Sequence, residues 1–291
     1  MNAGEELKAT VESLAEKSRN ASVSAYQALA FPDDVAVGEE WFTAPELTSL
    51  HGTPAYGQLD ERQRKTLSFW EAANFYSLNI HGERMLLEGL AHRLYDPDLR
   101  DVAKYLHHFL DEENKHMVWF ATFCLRYAKK IYPDRKVAFP RHYAPGEEHL
   151  LFFGRVMIFE EIVDFFNRRM AVDARLATVA REINRLHHAD ESRHLIFGRR
   201  IVKELFEQLR PTWSEATLDG VRAYLGGYFR VVWREYYNRD VYRDAGIDDG
   251  DALARRLLES EEAPRALRRK ASQSVVDYLL KIDLLTEEPA L

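Results

Sequence analysis

The sequence has few of the features that mark secreted, membrane-bound or nucleic-acid-binding proteins. One cysteine, Cys124, in 291 residues excludes an internal disulfide and is typical of a reducing cytoplasm, where we expect the protein to lie. The net charge of -7, with Lys and Arg scattered along the chain, offers no basic patch for nucleic acid. No stretch is apolar for long enough to cross a membrane, and the N-terminus lacks the order of a signal peptide. We therefore expect no nucleic-acid partner and no membrane partner.

Strand signals are also nearly absent, whereas helical periodicity runs through most of the chain. Four long helices are predicted at about 61–94, 100–131, 149–170 and 173–209, and an irregular connection at 132–148 joins the two pairs. Two helix pairs joined by one long crossover predict an all-α fold, a ferritin-like four-helix bundle.

The segments outside the bundle are expected to pack on it. Residues 1–60 predict an N-terminal extension that wraps the bundle and begins with a polar helix. Further helices at about 214–239 and 264–285 carry too many aromatic residues to remain in water. The prediction is one domain over 1–291, with the core bundle at about 61–209 and the C-terminal helices at about 212–285.

Two of the predicted helices carry the motif Glu-x-x-His. The second helix has Glu113 and His116, and the fourth has Glu191 and His194. Residues three apart lie on one face of a helix, so each pair can reach a single metal ion. All four side chains interrupt an apolar stripe, as does His187 one turn earlier, and burying such groups is costly unless they have a partner. One copy of the motif is weak evidence, but two copies on alternate helices favour a metal site.

A ferritin-like site also takes one carboxylate from each of the other two helices. On the first helix Glu83 interrupts the apolar stripe, whereas the nearby Glu88 has polar neighbours and is predicted to face solvent. On the third helix the choice lies between Glu160 and Glu161. Glu160 shares its face with apolar residues and is preferred, while Glu161 stays an open alternative.

The candidate ligands are therefore four carboxylates and three imidazoles. They are Glu83, Glu113, His116, Glu160, His187, Glu191 and His194. Mixed carboxylate and imidazole ligation suits iron or manganese, and the absence of thiolates argues against a zinc-finger type of site. Since four carboxylates neutralise two Fe(II) ions, we predict a centre of two iron ions. The alternative is an acidic bundle in which buried Glu and His pair with one another.

The residues beside these motifs have two possible roles. Asp190 and Glu112 each stand one position before a candidate Glu, where a carboxylate can orient a His ring across the bundle. The other reading is a surface acid paired with Lys115 or Arg193. His188 points away from the apolar stripe and is predicted to be exposed.

With these residues in hand, the sequence resembles the p-aminobenzoate N-oxygenase family of diiron arylamine oxygenases. The resemblance rests on Phe159-Glu160-Glu161-Ile162 and on the segment from His187 to His194, and it extends over roughly 40–245. The family has an additional His four residues before the last ligand Glu, and His187 matches it. Ordinary ferritins, rubrerythrins and stearoyl-type desaturases lack that third imidazole.

The resemblance implies a monooxygenase that uses O2 as co-substrate. In the family a peroxo-diferric species inserts oxygen into an aromatic amine and gives the hydroxylamine and then the nitroso or nitro product. The stretches that correspond to the substrate pocket, Phe75 to Ile80 and Phe165-Phe166, are largely apolar here, which favours a bulkier or less acidic amine. Arg84 and Arg168 are candidates to hold a carboxylate, although a helix salt bridge is the commoner role for each.

Other functions use the same residues. A diiron hydroxylase or desaturase acting on carbon is one alternative, and a non-enzymatic iron-binding protein is another. No Gly-x-Gly-x-x-Gly motif opens a helix after a strand, and no Cys cluster is present for an iron–sulfur centre, so we expect an external electron donor. A homodimer is a further expectation, because helical bundles with aromatic additions often dimerise.

Overall fold

Helices account for most of the computed structural model, which describes residues 3–134 and 142–291. In these two ranges strand pairing is limited to isolated bridges, Val37 with Glu40 and Trp41 with Leu176. The all-α prediction is thus confirmed. Nor does any helix within them have the length and apolar character to span a bilayer. The helices are α1 Glu5–Ala21, α2 Pro54–Gln58, α3 Glu61–Arg93, α4 Ala103–Phe123, α5 Glu147–Met170, α6 Thr178–Leu209, α7 Glu215–Tyr236, α8 Arg239–Asp244, α9 Gly250–Glu259 and α10 Glu262–Lys281.

The predicted four-helix bundle is formed by α3, α4, α5 and α6. Helix α3 packs along α4, and α5 packs along α6, so each predicted pair is a pair in space. Helix α3 begins with a capping box, in which the Asp60 carboxylate accepts from Gln63 N at 2.8 Å and the Gln63 side chain accepts from Asp60 N at 2.9 Å. The ferritin-like fold is confirmed. The predicted connection between the pairs lies partly outside the described residues.

Two predicted boundaries were wrong. The second helix was predicted over about 100–131, but α4 is flanked by a 3-10 turn at Pro97–Val102 and a π-helical turn at Cys124–Ala128. The fourth was predicted from Asp173, but α6 begins at Thr178. There Ala177 N donates to Trp41 O at 2.7 Å, so the N-terminal extension holds this stretch out of the helix.

The N-terminal extension packs on the bundle as predicted. Helix α1 contacts α4 and α6 through a buried face that includes Leu7, Val11 and Leu14. Further along, Glu71 of α3 is 6% exposed and its carboxylate accepts from Ser49 N at 3.0 Å and from the Ser49 hydroxyl. Among residues 3–134 and 142–291 no cation forms an ion pair with this carboxylate, and burial raises its pKa to about 8.

The C-terminal helices cover the other flank of the bundle. Helix α7 contacts α5 and α3, α8 contacts α3, and α10 contacts α5. The two long helices were predicted, at about 214–239 and 264–285, but the short α8 and α9 between them were not. Aromatic residues of α7 are buried, among them Tyr228 and Trp233, which agrees with the expectation that this segment packs rather than faces water.

Candidate metal centre

The structure brings all seven predicted ligands together in the middle of the bundle. None of their side chains is more than 3% exposed. Helix α3 contributes one of them, α4 two, α5 one and α6 three. We refer to these residues as the inner cluster: Glu83, Glu113, His116, Glu160, His187, Glu191 and His194.

Nitrogen and oxygen atoms of the inner cluster face one another at short range. His116 Nδ1 lies 3.7 Å from Glu83 Oε1, 3.5 Å from Glu113 Oε2 and 3.5 Å from Glu191 Oε1. His187 Nε2 approaches the same two oxygens and lies 2.9 Å from Glu191 Oε1 and 3.6 Å from Glu83 Oε1. Four helices therefore direct donor atoms at one small volume.

The other two members join the same group of atoms. His194 Nδ1 lies 2.8 Å from Glu113 Oε1 and 3.2 Å from Glu191 Oε1. Glu160, His187 and Glu191 each offer one donor atom, and these three atoms lie within 4.8 Å of one another. Two further triads of donor atoms with the same spacing, Glu83-His116-His187 and Glu113-His116-Glu191, overlap with this one. Seven residues offer more donors than one ion binds, which suits two neighbouring ions.

Many of these donor atoms have no hydrogen-bond partner. Neither carboxylate oxygen of Glu83 or Glu113 has one, and the same is true of His116 Nδ1, His187 Nε2 and Glu191 Oε2. The contacts of His187 Nε2 with Glu191 and of His194 Nδ1 with Glu113 lack hydrogen-bond alignment, whereas His194 Nδ1 is hydrogen-bonded to Glu191 Oε1. Buried polar atoms are paired in folded proteins, because an unpaired one costs about 1–3 kcal/mol. So many unpaired donors at one point fit a metal centre, whose ions would satisfy all of them.

The electrostatics of the inner cluster lead to the same conclusion. Burial raises the pKa of Glu83 and Glu160 well above the ordinary range, and neighbouring carboxylates raise it further. Burial also opposes ionisation of Glu191, but His194 and His187 hold its pKa well below the usual value. Nearby carboxylates outweigh burial at His116 and raise its pKa to about 9. Without metal ions the cluster therefore retains protons, which offset part of the negative charge of its carboxylates. Metal ions would displace those protons on binding.

Two imidazoles of the inner cluster are oriented by carboxylates from the opposite helix. His116 Nε2 of α4 lies 3.1 Å from Asp190 Oδ2 of α6, and His194 Nε2 of α6 lies 2.8 Å from Glu112 Oε2 of α4. Each ring therefore directs Nδ1 to the centre and Nε2–H to a carboxylate. Asp190 and Glu112 thus make the contacts that the first of their two predicted roles requires.

Asp190 and Glu112 also form the ion pairs with Lys115 and Arg193 that were the alternative prediction, but these pairs are buried and do not lie at the surface. Lys115 Nζ lies 3.1 Å from Asp190 Oδ2, and the Arg193 guanidinium donates to both Asp190 and Glu112. We call Glu112, Lys115, Asp190 and Arg193 the outer layer. Helix α1 covers it, since Arg193 Nε donates to Ser18 Oγ at 3.0 Å.

The third imidazole is held differently. His187 Nδ1 lies 2.8 Å from Asn167 Nδ2, while Asn167 Oδ1 is buried without a partner. With the oxygen of this amide turned towards the ring, Oδ1 accepts from Nδ1–H and leaves the Nε2 lone pair for an ion. His187 is thus oriented by a neutral amide, whereas His116 and His194 are oriented by carboxylates.

Glu161 and Glu88, which the sequence offered as alternative ligands, lie outside the inner cluster. Glu161 pairs with Arg199, and Glu88 is exposed. His188 was predicted to be exposed, but it is half-buried and its Nδ1 lies 2.6 Å from Asp164 Oδ1. Sequence reasoning missed Asn167, because an Asn inside a helix carries no signal of its partner on another helix.

Comparison with known protein families agrees with this geometry. The family model described as P-aminobenzoate N-oxygenase AurF matches residues 4–283, nearly the whole chain. The chain belongs to this family. A search of curated proteins finds no match. Membership in the p-aminobenzoate N-oxygenase family implies an oxygenase with a diiron centre, and the buried Glu and His groups are the residues that fit such a centre.

Proposed function

We propose that the inner cluster binds two iron ions and that the loaded protein uses O2 to oxygenate the nitrogen of an aromatic amine. The observation that carries the proposal is the set of unpaired donor atoms at the point where four helices meet. The products are the hydroxylamine and, on further oxidation, the nitroso or nitro compound. When bound, the two iron ions would donate electrons to O2 and so activate it; the oxygen atom would come from O2, and an external electron donor would have to reduce the ions again.

Iron, like manganese, fits the donor set better than calcium, magnesium or zinc does, and the family to which the chain belongs favours iron. Four carboxylates carry four negative charges, which balance two divalent cations, and imidazole nitrogens are accepted by Fe(II) but are poor ligands for calcium or magnesium. A structural zinc site would take thiolates or a smaller tetrahedral set. The only cysteine, Cys124, is buried away from the cluster and contacts Ser77 and Ala73 instead.

The protein itself positions the donors and keeps bulk water away from them. Phe109 stacks on the His194 ring at a centroid distance of 4.0 Å, and Phe120 meets the edge of His187 at 5.0 Å. With these rings in place and the outer layer fixing His116 and His194, the donor atoms need little rearrangement to bind ions.

Metal analysis and product analysis test the proposal together. We expect the purified protein to bind two iron ions per chain, and the reduced protein to add oxygen to the nitrogen of an aryl amine when O2 is supplied. The measurement is iron content by elemental analysis, with a mass spectrum of the products from a panel of aryl amines. If the products are oxidised only at carbon, the protein is a hydroxylase and not an N-oxygenase. If iron uptake continues beyond two ions per chain, the protein stores iron.

The third imidazole gives a sharper test, because the chain provides a neighbouring control. A neutral nitrogen ligand adds electron density to an ion without adding charge, which we expect to favour oxygen transfer to an amine. His187→Ala should therefore lose amine oxidation, while His188→Ala, outside the inner cluster, should keep it. Equal rates of amine oxidation in the His187→Ala variant and the parent protein would remove His187 from the proposed mechanism.

A further inference from the structure

The imidazoles of His116 and His194 point towards one side of the bundle, which α1 covers. Their Nε2 atoms contact the outer layer, and Arg193 of that layer donates to Ser18 of α1. Beyond the outer layer lies an open pocket of about 440 Å³ between α1 and α6. Arg193 also lines this pocket, so only the outer layer lies between the two histidines and the pocket.

Trp119 provides a second connection between the metal centre and the same side of the protein. It lies one turn of α4 after His116, and the centroids of the two rings are 5.7 Å apart. The indole is fully buried, and its Nε1 donates to Ala25 O at 2.8 Å. Because Ala25 belongs to the segment that follows α1, Trp119 joins a candidate metal ligand to the backbone of a surface segment.

Exposed apolar side chains are grouped on this side. Tyr26, next to Ala25, is 82% exposed, and Val23 is 40% exposed. Ile196 of α6 is 47% exposed, and it lines the pocket together with Ala21, the last residue of α1. Large apolar side chains grouped at a surface are typical of a site where another protein binds. We call the following residues the α1 face: Lys17, Arg19, Ala21, Val23, Tyr26 and Ile196.

The α1 face is positively charged, although the chain as a whole has a net charge of -7. Among the described residues, the pocket is lined by two cations, Lys17 and Arg193, and by no carboxylate. Over 3–134 and 142–291, neither Lys17 nor Arg19 has a carboxylate within ion-pair distance. Glu16 is the acidic residue next to them in the chain, so the two cations outnumber it. A surface of this charge suits an acidic partner.

We propose that the α1 face binds an acidic electron-carrier protein, and that electrons pass from this protein through Trp119 and His116 to the metal centre. The inference rests on the proposed function, which requires an external electron donor. In each encounter the carrier loses one electron and one Fe(III) ion is reduced to Fe(II), so two encounters reduce both ions. Electron-transfer encounters need only a small interface, below about 1,200 Å² of buried surface in total.

Reduction of the iron-loaded protein by a reduced plant-type ferredoxin, an acidic one-electron carrier, tests the docking site without any amine. Stopped-flow absorbance gives the rate at increasing ferredoxin concentration, and calorimetry with oxidised ferredoxin gives the affinity. Lys17→Glu should lower the affinity and the second-order rate constant by about tenfold at low salt, and added salt should shrink the difference because it screens the charges. Lys270→Glu makes the same change of charge at an exposed position of α10 and should leave both quantities unchanged. Dithionite, a small reductant, should reduce the parent protein and both lysine variants at one rate.

A second variant tests the route of the electrons. Trp119→Phe should keep the affinity for ferredoxin, but the limiting rate at saturating ferredoxin should fall several-fold, because the hydrogen bond to Ala25 is lost. Trp213→Phe is the matched control, since the Trp213 indole also donates to a backbone carbonyl, Pro145 O at 3.1 Å, but lies outside the α1 face. Its limiting rate should equal that of the parent protein.

The outcomes separate this inference from the proposed function. The docking site is wrong if Lys17→Glu and Lys270→Glu have equal rate constants, or if ferredoxin does not reduce the parent protein. The route is wrong if Trp119→Phe keeps the limiting rate of the parent protein. If the inference passes these tests but no aryl amine is oxidised, it stands and the N-oxygenase proposal fails. If dithionite-reduced protein oxidises amines while Lys17→Glu behaves like the parent protein, the proposed function stands and this inference fails.

Discussion

The amide that orients His187 provides a direct test of how the inner cluster binds metal. Asn167 is fully buried and is the hydrogen-bond partner of His187 Nδ1 at 2.8 Å. Replacing it by alanine leaves that ring nitrogen without a partner and allows the ring to rotate. We expect Asn167→Ala to weaken binding of one of the two ions and to leave the other nearly unchanged, because His116 and His194 keep their carboxylates.

The magnitude follows from what such partners contribute in other metal sites. Loss of the group that orients a ligand His costs about 10- to 100-fold in metal affinity. This corresponds to about 1.4–2.7 kcal/mol of binding free energy. The assay is an anaerobic titration of the metal-free protein with Fe(II), which gives the number of ions and a dissociation constant for each.

A second buried asparagine serves as the control. Asn184 is also fully buried, and its amide donates to the Tyr76 hydroxyl at 3.1 Å and to Ala180 O at 2.7 Å. Asn184→Ala should therefore lower the stability in a comparable way without changing either dissociation constant. The reasoning is refuted if Asn167→Ala binds both ions as tightly as the parent protein, or if the two variants lose affinity equally.

Three predictions concern stability. Because Glu71 has a folded pKa of about 8 and an ordinary value of 4.5, its contribution is complete below about pH 4.5 and is lost as the pH rises through 8; Glu71→Gln should flatten the fall in Tm between pH 5 and pH 9, and an unchanged slope would contradict this. Gly89→Ala should lower the free energy of unfolding, because the clash with Phe152 costs about 1–3 kcal/mol and the better helix propensity of alanine returns only about 1 kcal/mol of this. Gly227→Ala, with nothing near its Cβ, should raise the free energy of unfolding. Denaturant midpoints measure both changes. Lys115→Met should cost about 3 kcal/mol because it breaks a buried ion pair, while Lys65→Met, which removes a more exposed pair with Glu61, should change the same midpoint little.

The bundle and the inner cluster were predictable because both leave periodic signals. Apolar residues at helical spacing located the four long helices, and Glu or His within those stripes located the candidate ligands. The cost of burying such groups is what made their positions informative. Glu160 was separated from Glu161 on the same grounds, and the structure turns only Glu160 towards the centre.

What the sequence did not reveal depends on contacts between distant segments. Asn167 looks like an ordinary helical residue until α5 is packed against α6. The late start of α6 follows from a hydrogen bond to Trp41, which is far away in the chain. Helices α8 and α9 have 6 and 10 residues, too few for periodicity to be recognised. The single-domain organisation, the homodimer and the electron donor stay predictions.

The composition of the outer layer has a consequence for the fold as a whole. Its two buried anions and two buried cations cancel, so the outer layer supplies no net positive charge to the four carboxylates of the inner cluster. Without the ions, the inner cluster stays buried only by retaining protons and leaves many of its donor atoms unpaired; bound ions would replace those protons and link α3, α4, α5 and α6 where the four helices meet. The melting temperature should therefore rise with iron content, and a melting curve measures the fraction of a preparation that holds iron.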